Sequence, residues 1–345
     1  MKNKTAILIS LMLLLSMLAS AYVVKVARPE IGKVITQEQD PTIDVSPAVR
    51  ITNTGDASGD GYYERDPQLL RASTGVWYLV YLRSQYPFFH HGGNPDDLLY
   101  DVYVKTSSDG GVTWSAETKV LDATAIDWYS NFRSVTICEA DGKIWVIGAN
   151  WKNLEGDIYA NTYSSGAWSG QYMIFDGTYS TGAAHLDSIV EGNGIRLFYG
   201  IQKESEGVGF IKYNSVTHTW ETTVTKIGAA AAYQIPRVIK TGSTYYMVST
   251  NWEHILFTKT TTPDTVPWPS ATYIFDAPPD GAACDPTILK YGDSGGTDDL
   301  IVFSSPWYSD DSQPIEYVYS TDAGDSWTSP LPFTDAAHVH KCLGI

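Results

Sequence analysis

Basic residues are scarce in this chain: 23 Lys and Arg stand against 39 Asp and Glu, for a formal net charge of −16. A surface of that sign repels phosphate backbones and anionic headgroups, which argues against nucleic acid or a membrane surface as partner. Cysteine is scarcer still, with only Cys138, Cys284 and Cys342. One disulfide is possible outside the cell, but an odd count leaves at least one thiol unpaired within the monomer. No C-x-x-C or H-x-x-H spacing offers a structural zinc site, and no metal or cofactor is expected. Beyond residue 18 no apolar run is long enough to span a bilayer. Helix-period patterning is also missing, which removes bundles and α/β folds from consideration. Disorder is excluded by the opposite token: aromatic residues make up 13% and charged residues only 18%.

What is present starts at the first residue. Lys2 and Lys4 precede an apolar stretch over residues 6–18, and Ala19-Ser20-Ala21 supplies small residues for cleavage. This reads as a secretory signal peptide over residues 1–21, so the chain is expected outside the cell and free of the membrane once cleaved. Residues 22–43 read as a leader or linker, and residues 44–345 as one domain.

Two segments share the pattern S-x-D-x-G-x-[ST]-W: Ser107-Ser108-Asp109-Gly110-Gly111-Val112-Thr113-Trp114 and Ser320-Thr321-Asp322-Ala323-Gly324-Asp325-Ser326-Trp327. Each follows an alternating strand. Ser and Asp are suited to bonding turn backbone, Gly tolerates positive φ, and Trp can pack under the loop. This is the Asp-box hairpin. Two copies about two hundred residues apart indicate a β-propeller of repeated blades. Weaker versions end at Trp168, Trp220 and Trp268, so a Trp recurs roughly every 50 residues.

A second repeat opens each unit with an apolar strand, a turn and another apolar strand. Its starts are Arg65-Asp66-Pro67, Arg133-Ser134-Val135, Leu186-Asp187-Ser188, Ile235-Pro236-Arg237 and Asp285-Pro286-Thr287. Proline is tolerated at the first strand position, where no ladder donor is required. Residues 338–343 resemble a sixth start, and residues 48–52 form another free strand. The expectation is an all-β propeller, six-bladed with an incomplete last blade, or alternatively five-bladed.

From Tyr63 onward the chain resembles the sialidase superfamily. Tyr63-Glu64-Arg65-Asp66-Pro67 is similar to that family's F/Y-R-I-P start, and Tyr81-Leu82-Arg83 to its next arginine motif. The loop Asn94-Pro95-Asp96-Asp97 stands where sialidases keep an acid/base aspartate. The resemblance implies a six-bladed fold and an arginine clamp for a sugar carboxylate, with Arg65 as its best match and Arg83, Arg133 and Arg237 as further candidates. It implies an acid/base carboxyl at Asp96 or Asp97. Later positions depart from the family: Gln234 stands near the activating glutamate's place, Thr250-Asn251-Trp252 and Gln313-Pro314-Ile315 near the other arginines, and His338-Val339-His340 near the nucleophilic tyrosine.

Arg65-Asp66-Pro67 with Val76-Trp77-Tyr78-Leu79-Val80-Tyr81 also resembles the opening of five-bladed arabinanase- and invertase-like hydrolases, which implies Asp66 as general base. Asp187 is the next acid at a blade start, with His185 beside it. Catalytic candidates are therefore Asp66, Asp96 and Asp97; substrate-binding candidates are Arg65, Arg83, Arg133, Arg237 and Asp187. His90 and His91 with Phe88 and Phe89 form a further aromatic group that could stack on a sugar. The expected activity is glycoside hydrolysis at exposed glycan ends. A non-catalytic glycan-binding propeller is the alternative, separated from it by whether the channel holds a carboxylate pair and a nucleophile.

Overall fold

The computed structural model describes residues 24–27, 42–45, 64–85, 99–127, 130–152, 155–178, 180–201, 207–228, 234–277, 281–305 and 315–333. Near the amino terminus β1 (Val24–Ala27) pairs antiparallel with β2 (Thr42–Val45). The rest forms five antiparallel sheets, each wound in chain order. The first contains β3 (Glu64–Arg71), β4 (Trp77–Ser84), β5 (Tyr100–Ser107) and β6 (Thr118–Leu121). The second contains β7 (Asn131–Ala140), β8 (Lys143–Lys152) and β9 (Glu155–Ser164), whose outer edge is shared by β10 (Ala167–Trp168) and β11 (Tyr172–Phe175). The third runs β12 (Ala183–Glu191), β13 (Gly194–Ile201), β14 (Val208–Asn214), with β15 (Thr219–Trp220) and β16 (Thr225–Lys226) on its edge. The fourth is β17 (Gln234–Thr241), β18 (Thr244–Thr250), β19 (His254–Thr260) and β20 (Thr272–Asp276). The fifth is β21 (Thr287–Ser294), β22 (Thr297–Ser304), β23 (Glu316–Ser320) and β24 (Leu331–Pro332).

These are the blades of a propeller. The innermost strands β3, β7, β12, β17 and β21 touch in succession around the centre. All five strand-turn-strand units expected from the sequence are present as the inner two strands of a blade. The sixth start at residues 338–343 and the strand at 48–52 lie outside the described residues.

Side-chain alternation explains why the second strand of each blade is apolar almost throughout: a middle strand is covered on both faces. Val80 and Leu82 face the second blade, where they meet Phe132, Val135 and Val146. Their neighbours Leu79 and Tyr81 point the other way, into a separate cluster with Tyr103. Trp145, Ile147 and Ile158 join Leu186, Leu197 and Tyr199 between the second and third blades. Phe198 and Phe210 meet Met247 and Trp268 between the third and fourth. Val248 and Phe257 meet Val302 and Val318 between the fourth and fifth.

The two S-x-D-x-G hairpins close as their residue types require. Asp109 accepts hydrogen bonds from the Thr113 hydroxyl (2.6 Å) and N–H (2.9 Å). Gly110 and Gly111 have φ of 78° and 91°, and Trp114 Nε1 donates to Gly111 O. Asp322, Ser326, Gly324 and Trp327 repeat the arrangement. At the hairpin ends, tyrosine hydroxyls tie neighbouring blades together: Tyr213 donates to Asp141 (2.9 Å), Tyr246 to Asp298 (2.7 Å), and Tyr245 to Glu191.

Candidate active site

At the opposite end of the inner strands, each blade places one polar side chain at or just before its first strand: Asp66, Ser134, Asp187, Arg237 and Asp285. Register breaks at Arg65/Gln68, Phe132/Ser134, Ala183/His185 and Gln234/Arg237 mark the starts of four of these strands. Such bulges re-aim side chains at the ends of a sheet. Asp66, Ser134 and Asp187 each bond to the backbone of the next blade. Asp66 Oδ2 accepts Val135 N–H at 3.0 Å, Ser134 Oγ accepts Leu186 N–H at 3.0 Å, and Asp187 Oδ2 accepts Val238 N–H at 2.6 Å. The series breaks at Arg237, which has no acceptor, and the next blade correspondingly presents Pro286, which has no N–H.

Arg237 reaches instead to Leu186 O at 2.8 Å and to Asp66 Oδ1 at 3.3 Å, 171 residues away in sequence. The Arg237–Asp66 pair thus joins the fourth blade to the first. Arg65, only 9% exposed, stacks 4.4 Å above the Tyr100 ring. Its Nε is buried and has no hydrogen-bond partner among the described residues. Arg133 lies 5.4 Å from the centre of the Trp151 ring.

The charges at this end act on one another. Burial lowers His185 to about 4, with Asp66 opposing and Arg237, Arg65 and Arg133 reinforcing the shift. The imidazole is therefore neutral above that pH and adds no cation to the arginines. Burial raises Asp187, against the pull of Arg237 and of the Val238 and Ser188 N–H groups. Burial also raises Asp285, to about 6, with Arg237 and Arg65 opposing and Asp66 assisting. Every described blade thus contributes: Arg65 and Asp66, then Arg133, His185 and Asp187, Arg237, and Asp285. A cavity of about 230 Å³ opens beside them, with Asp187, Arg237, Asp285, Ser304 and Ser305 on its polar side.

Asp66 and Asp285 share a local conformation. Each precedes a proline, and each has positive φ, 50° and 43°. Neither the steric limits on an L-residue nor those on a pre-proline residue favour that geometry. Non-glycine residues held this way cluster at functional sites.

Of the residues nominated from sequence, Arg65, Asp66, Arg133, Asp187 and Arg237 come together here. Arg83 is engaged elsewhere, in an ion pair with Glu117 and 4.0 Å above the Tyr103 ring. Asp96, Asp97, His90, His91, His338 and His340 lie outside the described residues. Asp285 was not among the sequence candidates. Its signal was available: Asp285-Pro286 repeats Asp66-Pro67 at the start of another unit.

No protein-family profile and no curated protein matches the chain by sequence. Its structure is similar to the NanB sialidase from Streptococcus pneumoniae, with a TM-score of 0.58, 11% identity, and coverage of 81% of this chain and 62% of that one. It is also similar to an α-L-arabinanase from Penicillium chrysogenum solved with arabinobiose, with a TM-score of 0.55, 12% identity, and coverage of 76% and 79%. The GH43_1 enzyme from Xanthomonas citri, solved with xylose, gives a TM-score of 0.53, 12% identity, and coverage of 81% and 93%. The fold is that of the propeller glycosidases. The chain spans 62% of the sialidase's length, and more of the other two.

Chemically, the cluster offers a carboxyl group raised by burial to about 6, Asp285, and a carboxyl group paired with a guanidinium, Asp66. Two carboxyl groups in different environments are what acid/base hydrolysis of a glycosidic bond requires. Arg65 adds an incompletely bonded guanidinium suited to an anion.

Proposed function

We propose that the protein is an exported glycoside hydrolase that takes the terminal sugar of a glycan at the channel end bearing Asp66, Asp187 and Asp285. The observation that carries this reading is the gathering of three carboxyl groups from the first, third and fifth blades around Arg237, with Asp285 raised to about 6. Asp285 donates its proton to the glycosidic oxygen as the C–O bond breaks. Asp66 serves the other side of the sugar, as base toward water or as nucleophile, and NMR of the first-formed anomer separates those two routes. Asp187, bonded to Val238 N–H, ties the strand end of the third blade to the fourth. A cavity of about 230 Å³ suits one sugar unit better than an oligosaccharide. Arg65 and Arg133 favour a sugar that carries a carboxylate.

A carboxylate mechanism is supported over a tyrosine nucleophile of the sialidase kind. Tyr81, Tyr213, Tyr245 and Tyr246 donate to carboxylates, and burial and those carboxylates shift their hydroxyls upward. Tyr317 and Tyr319 are buried in an apolar cluster of the fifth blade. The test is a panel of chromogenic uronides, sialosides, arabinosides and xylosides against the parent, Asp285→Asn and Asp66→Asn. Cleavage of one substrate by the parent and its loss in both variants is expected.

One observation favours a second reading, a glycan-binding propeller without catalysis: Asp66 and Asp187 both accept backbone N–H groups from the next blade, as structural links would. Titration of sialic and uronic acids against the parent and Arg65→Ala addresses it. Binding that depends on Arg65, with no glycoside cleaved, would establish that reading in place of the first.

A further inference from the structure

We propose that Thr250 and Trp252 of the fourth blade form a clamp that positions Asp285 of the fifth. The proposal rests on the reading of Asp285 as proton donor, and adds the residues that hold it in place.

The geometry begins at the end of β18. The Thr250 side chain is fully buried, and its hydroxyl donates to Ala283 O at 2.5 Å while accepting Trp252 N–H at 2.9 Å. Trp252 O accepts Ala283 N–H at 2.8 Å, which makes an isolated antiparallel bridge between the two residues. Both polar groups of Ala283 are therefore engaged by one turn of the neighbouring blade. The next residue, Cys284, is held from its own blade, where its carbonyl accepts Ser304 Oγ at 2.9 Å and Ser305 N–H at 3.2 Å. Thr250, Ala283, Cys284, Ser304 and Ser305 are all buried. The chain thus reaches Asp285 with its last two peptides fixed from two directions.

This explains two backbone conformations at once. Trp252 has φ of 72° and Asp285 has φ of 43°. Bulky or pre-proline residues do not hold such angles unless their surroundings over-determine them. Trp252 is held in its turn by Thr250 Oγ1 and by the bonds of Asn251 Oδ1 to the N–H groups of Glu253 and His254. Asp285 is held by the bonds to Ala283 and Cys284 on one side and by the fixed φ of Pro286 on the other. The clamp is what keeps the Asp285 carboxyl beside Arg237 in the channel rather than turned toward solvent. Asp66, which also precedes a proline, is held through its own carboxylate by Val135 N–H and Arg237.

The test uses the full chain with Thr250→Val, which lacks the hydroxyl, and Thr250→Ser, which retains it. The titration of Asp285 is followed by carboxyl ¹³C NMR and assigned with Asp285→Asn; kcat and KM are measured on the best substrate of the glycoside panel. Loss of the clamp is expected to move the Asp285 midpoint down by about one pH unit, toward an ordinary carboxyl. It is expected to lower kcat by about tenfold to a hundredfold with little change in KM, as a misplaced reacting group does. Thr250→Ser should restore both. Ser304→Ala, which loosens the other side of the clamp, should shift the midpoint in the same direction and serves if Thr250→Val does not fold. An unchanged midpoint in a folded Thr250→Val or Ser304→Ala protein would overturn the proposal. Activity that survives Asp285→Asn would overturn the proton-donor role instead, and the NMR midpoint would still decide the clamp.

Discussion

Asp322 and Asp285 belong to the same blade, and their environments drive them in opposite directions. At the hairpin, burial alone would raise Asp322, but the Ser326 hydroxyl and N–H and the Ser320 hydroxyl bring it down to about 2. Asp109 in the first blade is held at about 2 by the Thr113 hydroxyl and N–H and by Ser107. At the channel, burial lifts Asp285 to about 6, and Arg237 and Arg65 do not bring it back. The hairpin aspartates have donors supplied within four residues of sequence, so they finish their own turn and have nothing left for chemistry. The channel aspartate depends on groups supplied by other blades. A carboxyl satisfied locally is scaffold; one placed by the tertiary fold against its preferred ionisation is a functional candidate.

The largest effect expected from this contrast is on activity. Asp285→Asn should lower kcat/KM on the cleaved glycoside by about 10²- to 10⁴-fold, the range for removal of a general acid. Asp322→Asn should leave kcat/KM within about twofold, because its partners are all in its own turn. Steady-state kinetics on both variants decides it. Equal losses would mean that the two ends of the blade do not divide scaffold from chemistry.

The two ends also differ in how far sequence alone reveals them. Ser320 to Trp327 can be recognised in the bare chain because donors, acceptor, glycine and tryptophan are consecutive. The five strand-turn-strand units are legible for the same reason, since alternation and turn residues act over short distances. Arg237 could be nominated from its place at a blade start, but its pairing with Asp66 spans 171 residues and is a property of the folded propeller. Asp285 escaped notice because nothing beside it in sequence marks its burial. The clue was comparative, the repetition of Asp-Pro in the first and fifth units. Arg83 shows the converse: it occupies a motif-like position, yet its partner is Glu117, which only the fold brings near.

A second expectation sharpens the meaning of scaffold. Trp268 closes the most degenerate of the hairpins, yet it is only 6% exposed and packs edge-on against Phe198 and Tyr245. Trp114 and Trp327, in the well-formed hairpins, are only partly buried. Trp268→Ala should cost about 3–5 kcal/mol by urea unfolding, and Trp327→Ala less. A larger loss at Trp327 would show that the hydrogen-bonded hairpin, rather than apolar packing, holds the blade edge.

Stability should depend on pH in opposite senses at the two ends. For Asp285 the folded value, about 6, lies above the unfolded one near 3.9, so the folded protein binds the extra proton between them. Its contribution is most favourable below about 4 and is lost as pH rises through about 6. Asp285→Asn removes that loss. The variant should be more stable than the parent by about 3 kcal/mol at pH 7.5, and the gain should vanish by pH 4. Chemical denaturation at the two pH values measures it. A destabilised variant at pH 7.5 would indicate that the carboxylate is well compensated in the channel.

The smallest effect is the mirror image at the hairpins. Asp322 and Asp109 have folded values below the unfolded one, so their contribution is present above about 4 and is lost as pH falls through about 2. Asp322 remains accessible to water, and screening reduces whatever its shift implies. What Asp322→Ala removes is three short bonds, two from Ser326 and one from the Ser320 hydroxyl, worth about 1 kcal/mol together after competition with solvent. Parent and variant should therefore differ by that amount at pH 7 and converge as pH approaches 2, which is opposite in direction to the Asp285 pair of curves. Adding 1 M salt should leave the Asp322 difference nearly intact, because the bonds are to hydroxyls and an N–H rather than to a cation. A difference that collapses in salt would mean that long-range charge, and not the closed turn, sets the low value of these aspartates, and the division between locally satisfied and tertiary carboxyl groups would lose its physical basis.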